Sequence, residues 1–392
     1  MSKYPPISLD YLKALTDCTG IYQHAVHSVP NLKLGYTTDD NARALIVAAQ
    51  HYDLTGDPSD LALATRYLSF IHYAHTSEGY FRNDMSFQRN FLDEHGTEDC
   101  YGRAIWGCGC AASSKLPENV SIVAKKLLID SLGRVGDLES PRARAYSILG
   151  MYNFLRQNED TNGIADKITA LADSLVAGYA TYHDKEWHWF EPYLTYGNAI
   201  LVHAMLVAAE ITGKKSHKNV AMKTLGFLTD TLIVNGRLEI IGNNGWYLKG
   251  RERAWYDQQS IDAGYTVCLF AEAYKQLRQK EYLELAYTSY DWFFGKNRSG
   301  VWVYDPVNKG CYDAVTPWGL NLNQGAEACI SFLLAQLAIH NLEQEMESAS
   351  KNPSHGGFEH NENKRNHDDA SDNSKRKCSA RRSSSLAEQC KD

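Results

Sequence analysis

No apolar run in this chain approaches the roughly 18 residues that a membrane-spanning helix requires, so no span is expected. The N-terminal Met-Ser-Lys-Tyr-Pro-Pro has none of the apolar stretch that forms the core of a secretory signal. Neither sign of charge is in large excess. The net charge is −7 and no basic stripe gathers before the last residues, so nucleic acid is not an expected partner. The nine cysteines are odd in number and scattered. Cys108 and Cys110 would face different ways on a helix, and no pair has zinc spacing. They read as reduced thiols, and the expected location is the cytoplasm. His183, His188 and His203 lack metal-ligand spacing, and the chain has no Gly-rich phosphate loop, G-x-S-x-G elbow or H-E-x-x-H. Neither a metal nor a cofactor is expected.

What the chain does have is a recurrence. Six times a polar segment opens a helix of small and apolar residues: Thr38-Asp39-Asp40-Asn41, Glu98-Asp99, Glu139-Ser140-Pro141, Tyr196-Gly197-Asn198, Asp257-Gln258-Gln259 and Asn323-Gln324-Gly325. The helices that follow, near 39–54, 98–113, 140–157, 197–212, 258–276 and 324–343, are apolar almost all round, as buried helices are. Between them lie stretches near 8–18, 58–76, 118–133, 163–181, 217–234 and 280–296 with charged faces and periodic apolar residues, which read as outer helices. Short links such as Leu54-Thr55-Gly56-Asp57-Pro58 lead from inner to outer helices, and longer ones precede the inner helices. The pattern suits an all-α ring of six hairpins, an (α/α)6 toroid, over residues 1–344. Residues 345–392 are polar and are expected to be a disordered tail.

Three openings share one frame, Asp39-x-x-x-Arg43, Asp99-x-x-x-Arg103 and Ser140-x-x-x-Arg144. The frame places Asp39, Asp99 and Ser140 at helix N-caps, with Pro141 at N1, and lets each aspartate reach its arginine at i+4. Six mouths facing one way would bring acids, amides and arginines around one cavity.

Among the acids, Glu191 in Trp187-His188-Trp189-Phe190-Glu191-Pro192 is the expected proton donor, because aromatic neighbours strip water from a carboxyl and favour its neutral form. Asp40 is its expected partner, then Glu98 and Asp257. Asp39, Arg43, Asp99, Arg103 and Glu139 are expected beside them. Trp189, Tyr196, Asn198, Gln258, Gln259, Asn323 and Gln324 suit contact with sugar rings and hydroxyls. Glu327 reads as paired with a neighbour.

The segments Thr37–Ala44, Glu98–Ala104, Glu139–Ala143, Trp189–Tyr196 and Asn323–Glu327 resemble a family of six-hairpin glycosidase-like proteins, some joined to or described as glycosyltransferases. The resemblance covers the main domain; the basic tail has no counterpart in it. It implies an (α/α)6 toroid and a carbohydrate setting, with an oligosaccharide or glycoconjugate as ligand. The leading expectation is hydrolysis of a glycosidic bond by paired carboxylates. A sugar epimerase and a glycan-binding partner of a glycosyltransferase are the alternatives; an epimerase wants well-placed histidines, and none sits at the six openings.

Overall fold

The computed structural model describes residues 3–351, and their helices alternate between an outer and an inner ring. In chain order, outer then inner, these are α1 (Asp10–Ala14) and α2 (Thr38–Thr55), α3 (Pro58–Ala74) and α4 (Glu98–Ala112), α5 (Glu118–Ser131) and α6 (Pro141–Leu155), α7 (Ile164–Tyr182) and α8 (Asn198–Thr212), α9 (Lys215–Leu232) and α10 (Ser260–Leu277), and α11 (Lys280–Tyr290) and α12 (Ala326–Lys351). Each inner helix from α2 to α10 packs on the next inner helix or the outer helix beside it. Met1–Glu347 form one compact unit, and α12 carries on to Lys351, past the boundary expected at 344; the rest of the expected tail lies outside the described residues.

The inner helices are buried because almost every position on them is apolar or small. In α2, Ala42 and Ala44–Ala49 are fully enclosed, and each buried Leu or Ile of this kind stabilises the fold by about 1.5–3 kcal/mol. Glycines let neighbouring inner helices meet backbone to backbone. A Cβ on Gly109 would strike the Gly150 carbonyl across the α4–α6 seam, and one on Gly264 would strike the Ser331 carbonyl between α10 and α12. Arg43 of α2 reaches Glu327 of α12 at 3.1 Å and closes the ring.

The two ends of the ring differ. At one end, inner helices turn directly into outer ones: Gly56 adopts φ +65°, its N–H bonds to Tyr52 O at 2.8 Å, and Asp57 caps α3 through Ser59 N at 2.7 Å. At the other end, long links carry short antiparallel ribbons. Ala25–Val26 pairs with Val29–Pro30, Tyr36–Thr37 with Asp84–Met85, and Tyr193–Leu194 with Tyr247–Leu248. The largest ribbon has three strands, Gly319–Asn321, Ala314–Thr316 and Gln258–Gln259, with Ala314 opposite both Asn321 and Gln259.

Helix starts depart from the expected frame in one respect. The N-caps of α2 and α4 are Thr37 and Thr97, which accept from Asp40 N at 3.1 Å and Cys100 N at 3.2 Å. Asp39 and Asp99 therefore sit inside the first turn, where a carboxylate complements the helix dipole instead of capping it. Ser140 caps α6 as expected, accepting from Ala143 N at 3.3 Å. No helix among the described residues is long and apolar enough to cross a membrane.

Candidate active site

A cavity of about 280 Å³ opens where α2, α10 and α12 begin. Its wall holds Asp39, Asp40 and Arg43 from α2, Asp257, Gln259 and Ile261 around the start of α10, and Gly325, Glu327 and Ala328 at α12. The remaining lining comes from the long links: Gln23, His24, Thr37, Asn83, Asn243, Asp313, Ala314 and Asn321. Five carboxylates thus face one arginine and one histidine.

Arg43 organises the acids. Its Nη2 lies 2.7 Å from Asp40 Oδ1 and 2.9 Å from Asp39 Oδ1, while its Nη1 lies 3.1 Å from Glu327 Oε2. Asp40 also accepts from Thr37 Oγ1 at 2.8 Å. Burial pushes the Asp40 carboxyl up to about 7, and repulsion from Asp39 and Glu327 adds to that against the pull of Arg43 and Thr37. Asp39 goes the other way. Burial favours its neutral form, but Arg103 and Arg43 outweigh burial and hold its carboxyl below the ordinary value. Adjacent aspartates in one cavity are thereby driven apart, one toward a proton and one toward a charge. Asp313 is raised by burial and by Glu327, while the Gly325 N–H at 2.7 Å and His24 oppose the rise. Glu327 keeps 42% of its side chain exposed and is the most accessible of Arg43's partners.

A separate cavity, with Thr97, Glu98, Tyr101 and Arg134 in its wall, lies at the start of α4, and between the mouths of α4, α6 and α8 side chains cross from helix to helix. Arg103 crosses from α4 to form an ion pair with Asp39 and also donates to Tyr146 Oη at 3.0 Å. Its own i−4 partner, Asp99, is 3.9 Å away and instead accepts from Tyr196 Oη at 2.8 Å and Ser140 Oγ at 3.1 Å. Glu98 accepts the backbone N–H groups of Glu139 and Ser140 at 2.8 and 2.6 Å, a structural brace between α4 and α6. Beneath these groups Trp106, Tyr146 and Tyr265 meet with ring centres 5.8–6.1 Å apart and plug the middle of the ring.

Of the residues singled out from the sequence, Asp39, Asp40, Arg43, Asp257 and Gln259 line the cavity. Glu191 does not line it. It is 5% exposed, and both its oxygens accept from Arg142 Nη1, at 3.1 and 2.9 Å. Trp189, expected at a sugar ring, is instead buried in the core against Phe190 and Phe227, and Phe190 is buried against Tyr179. Asn198 closes a turn with Thr195, Gln258 joins Glu239 to Trp292, and Gln324 joins Asn308 to Asp305. Asn323 accepts from His27 N at 3.0 Å, Glu139 is exposed, and Tyr196 rests on Arg142. Sequence reasoning missed Gln23, His24, Asn83, Asn243 and Asp313, which lie in aperiodic links. Their one sequence signal is the density of amides and acids there. Among the described residues no group of three His, Cys, Asp or Glu side chains could hold a metal ion.

Comparison with family models and with curated proteins finds no match. Comparison with solved structures does. The chain is similar to a cellobiose 2-epimerase from Bacillus thermoamylovorans B4167, with 12% identity over 86% of this chain and 96% of that one and a TM-score of 0.67. It is similar to a D-mannose isomerase, with 13% identity over 86% and 94% and a TM-score of 0.61. It is also similar to an α-1,6-mannanase of Salegentibacter sp. HEL1_6, with 13% identity over 85% and 96% and a TM-score of 0.58. That mannanase structure is of an inactive variant, two consecutive aspartates changed to asparagine, in complex with α-1,6-mannotriose. At these identities the likeness concerns the fold, and with the alternating helices it identifies that fold as an (α/α)6 toroid.

Proposed function

We propose that the cavity processes a carbohydrate by hydrolysing a glycosidic bond, with Asp40 as the proton donor. The observation that carries this reading is a buried carboxyl pushed up to about 7 in a cavity that also holds the more open Glu327 on the same guanidinium. Asp40 O–H would give its proton to the glycosidic oxygen as the bond from the anomeric carbon to that oxygen breaks. Glu327 would take a proton from the water that attacks the anomeric carbon. Asp39, held charged by Arg103 and Arg43, would favour the positive charge that develops on the sugar ring. The role expected of Glu191 passes to Asp40 because Glu191 is committed to Arg142 outside the cavity. The inactive mannanase with two consecutive aspartates changed supports the choice in kind, since Asp39 and Asp40 are consecutive and both face the cavity.

The test is turnover by the parent and by Asp40→Asn on a panel of neutral oligosaccharides, with binding measured in parallel. Loss of turnover with binding kept supports the proposal.

His24 favours a second reading. It lines the cavity near Asp313, so a histidine is present where an epimerase or isomerase would need one. Reaction in deuterated water separates the two chemistries. An epimerase that removes and returns a carbon-bound proton leaves deuterium in the sugar, whereas a hydrolase does not. A parent that binds glycans but turns none over would leave the role of a glycan-binding partner to a glycosyltransferase. A cytoplasmic location fits the cysteines, since Cys100, Cys108, Cys110, Cys311 and Cys329 are buried as free thiols.

A further inference from the structure

The three-stranded ribbon is an arm that begins in the cavity wall and ends in solvent. Ala314 and Asn321 pair at its base, and both line the cavity, as does Gln259 on the neighbouring strand. Val315 faces inward and is fully buried, opposite Leu320. The last pair is Thr316 with Gly319, and Trp318 lies in the turn between them, its backbone N–H donating to Thr316 Oγ1 at 3.2 Å. Ser299 Oγ meets Thr316 O at 3.4 Å and tethers the outer end of the arm. From base to turn the strand advances by roughly 7–10 Å, which is further than one sugar ring seated at Asp40 extends.

Trp318 is 88% exposed, whereas Trp106, Trp187, Trp189 and Trp292 are each at most 6% exposed. Folding therefore makes no use of this ring, although an indole is the largest apolar surface the chain can bury. Leu322, just past the base of the arm, is also 48% exposed. An indole held in water on a tethered arm beside an amide- and acid-lined cavity has the chemistry of a sugar platform. The C–H face of a pyranose packs on the ring while its hydroxyls stay in water. The cavity also states a charge preference. Even with Asp40 protonated, the acids Asp39, Asp257, Asp313 and Glu327 outnumber the guanidiniums of Arg43 and Arg103 that reach them, so a carboxylated or phosphorylated sugar would meet repulsion there.

We propose that Trp318 is a distal stacking platform and that the ligand is an uncharged glycan of more than one unit, running from the acids along the ribbon to the indole. This rests on the carbohydrate reading above and specifies its substrate class. The test uses neutral β-gluco- and α-manno-oligosaccharides from the monosaccharide upward, with uronate-containing oligosaccharides of matching length. Affinity and turnover are measured for the parent, Trp318→Ala and Trp318→Phe. An exposed turn position leaves folding intact, which an unchanged unfolding midpoint verifies. In the parent, longer neutral chains should bind about tenfold more tightly than the monosaccharide, as expected for one aromatic contact. Trp318→Ala should lose that advantage and Trp318→Phe keep part of it, while turnover of a short aryl glycoside stays the same in all three. A length advantage that survives in Trp318→Ala, equal affinity of the parent for short and long chains, or tighter binding of uronates overturns the inference alone. A parent that neither binds nor turns over any glycan overturns the carbohydrate reading, and this inference falls with it.

Discussion

Arg142 Nη1 lies 2.9 Å from Glu191 Oε2 and 3.1 Å from Oε1, and both side chains are at least nine-tenths buried. Arg142 also donates from Nε to Tyr196 O at 2.6 Å and from Nη2 to Thr195 Oγ1 at 2.7 Å. One guanidinium thus fastens the link before α8 to the start of α6. Such a pair resists the loss of either partner, because the survivor is left charged in a place without water. Glu191→Gln should therefore destabilise the protein by about 3–5 kcal/mol, with kcat of the folded enzyme changed by no more than a few-fold. Denaturant unfolding and steady-state kinetics on one preparation check this. Combining the change with Arg142→Met should recover part of the stability. A loss of kcat of a hundredfold or more at unchanged stability would return Glu191 to catalysis.

Asp40 should behave in the opposite manner. Asp40→Asn removes the transferable proton but keeps the shape and the acceptor for Thr37, so turnover should fall by about 10²–10⁴-fold with affinity little changed. A proton donor works only while protonated, and burial holds Asp40 near 7. The parent's rate should therefore fall as pH rises through about 7, the alkaline limb of its profile. An aryl glycoside with a good leaving group needs less protonation and should recover part of the mutant's loss. A parent profile on an unactivated oligosaccharide that stays flat from pH 6 to about 9 would place the proton elsewhere.

The ring was legible in the sequence because burial on all sides leaves a nearly continuous apolar signature, and α2, α4 and α6 begin within two residues of the expected positions. The caps of α2 and α4 slipped because Asp39 and Asp99 resemble caps in composition, while the threonines two residues earlier make the bonds. Where the cavity opens was not legible. That depends on which side chains cross between helices, as Arg103 crosses to Asp39 and Arg142 to Glu191. No periodicity records such crossings. Asp313 and His24 were missed for a related reason: each reaches the wall on a ribbon-bearing link whose path is set by tertiary contacts, such as Ala326 N to Gln23 O at 3.1 Å.

Two glycines should respond oppositely to alanine. At Gly264 a Cβ would run into the Ser331 backbone, which cannot move without shifting α12 against α10. Gly264→Ala should cost about 1–3 kcal/mol. It should also raise KM, because Ile261 and Glu327 on those two helices line the cavity. Gly226 lies exposed in α9 with nothing within 4 Å of a new Cβ. Gly226→Ala should raise stability by about 0.4–1 kcal/mol through the unfolded chain and leave kinetics alone. Thermal unfolding of both variants beside the parent tests the pair, and equal shifts would deny the close packing of α10 and α12.

Asp262 should make stability depend on pH without taking part in turnover. It lies in the first turn of α10, 4% exposed, with Oδ1 accepting from Gly197 N at 2.7 Å and Oδ2 lacking a hydrogen-bond partner among the described residues. Burial raises its carboxyl from 3.8 to about 7; Glu327 adds to the rise, and the Gly197 and Asn198 N–H groups and Arg142 oppose it. Between those two values the folded protein holds a proton that the unfolded chain has released. Stability must then fall as pH rises across that window, reaching its full loss above about 7. Asp39, whose carboxyl is depressed, acts with the opposite sign and only at pH below its ordinary value, so the two effects separate on the pH axis. Asp262→Asn keeps an acceptor for Gly197 and removes the titration. Its unfolding free energy should decline less between pH 4 and 7 than the parent's, although Asp40 maintains part of the slope. Asp40→Asn, Asp262→Asn and the double variant, unfolded in urea at several pH values, measure the two contributions. A slope in Asp262→Asn equal to the parent's would show that Asp262 is already ionised in the folded protein throughout that range.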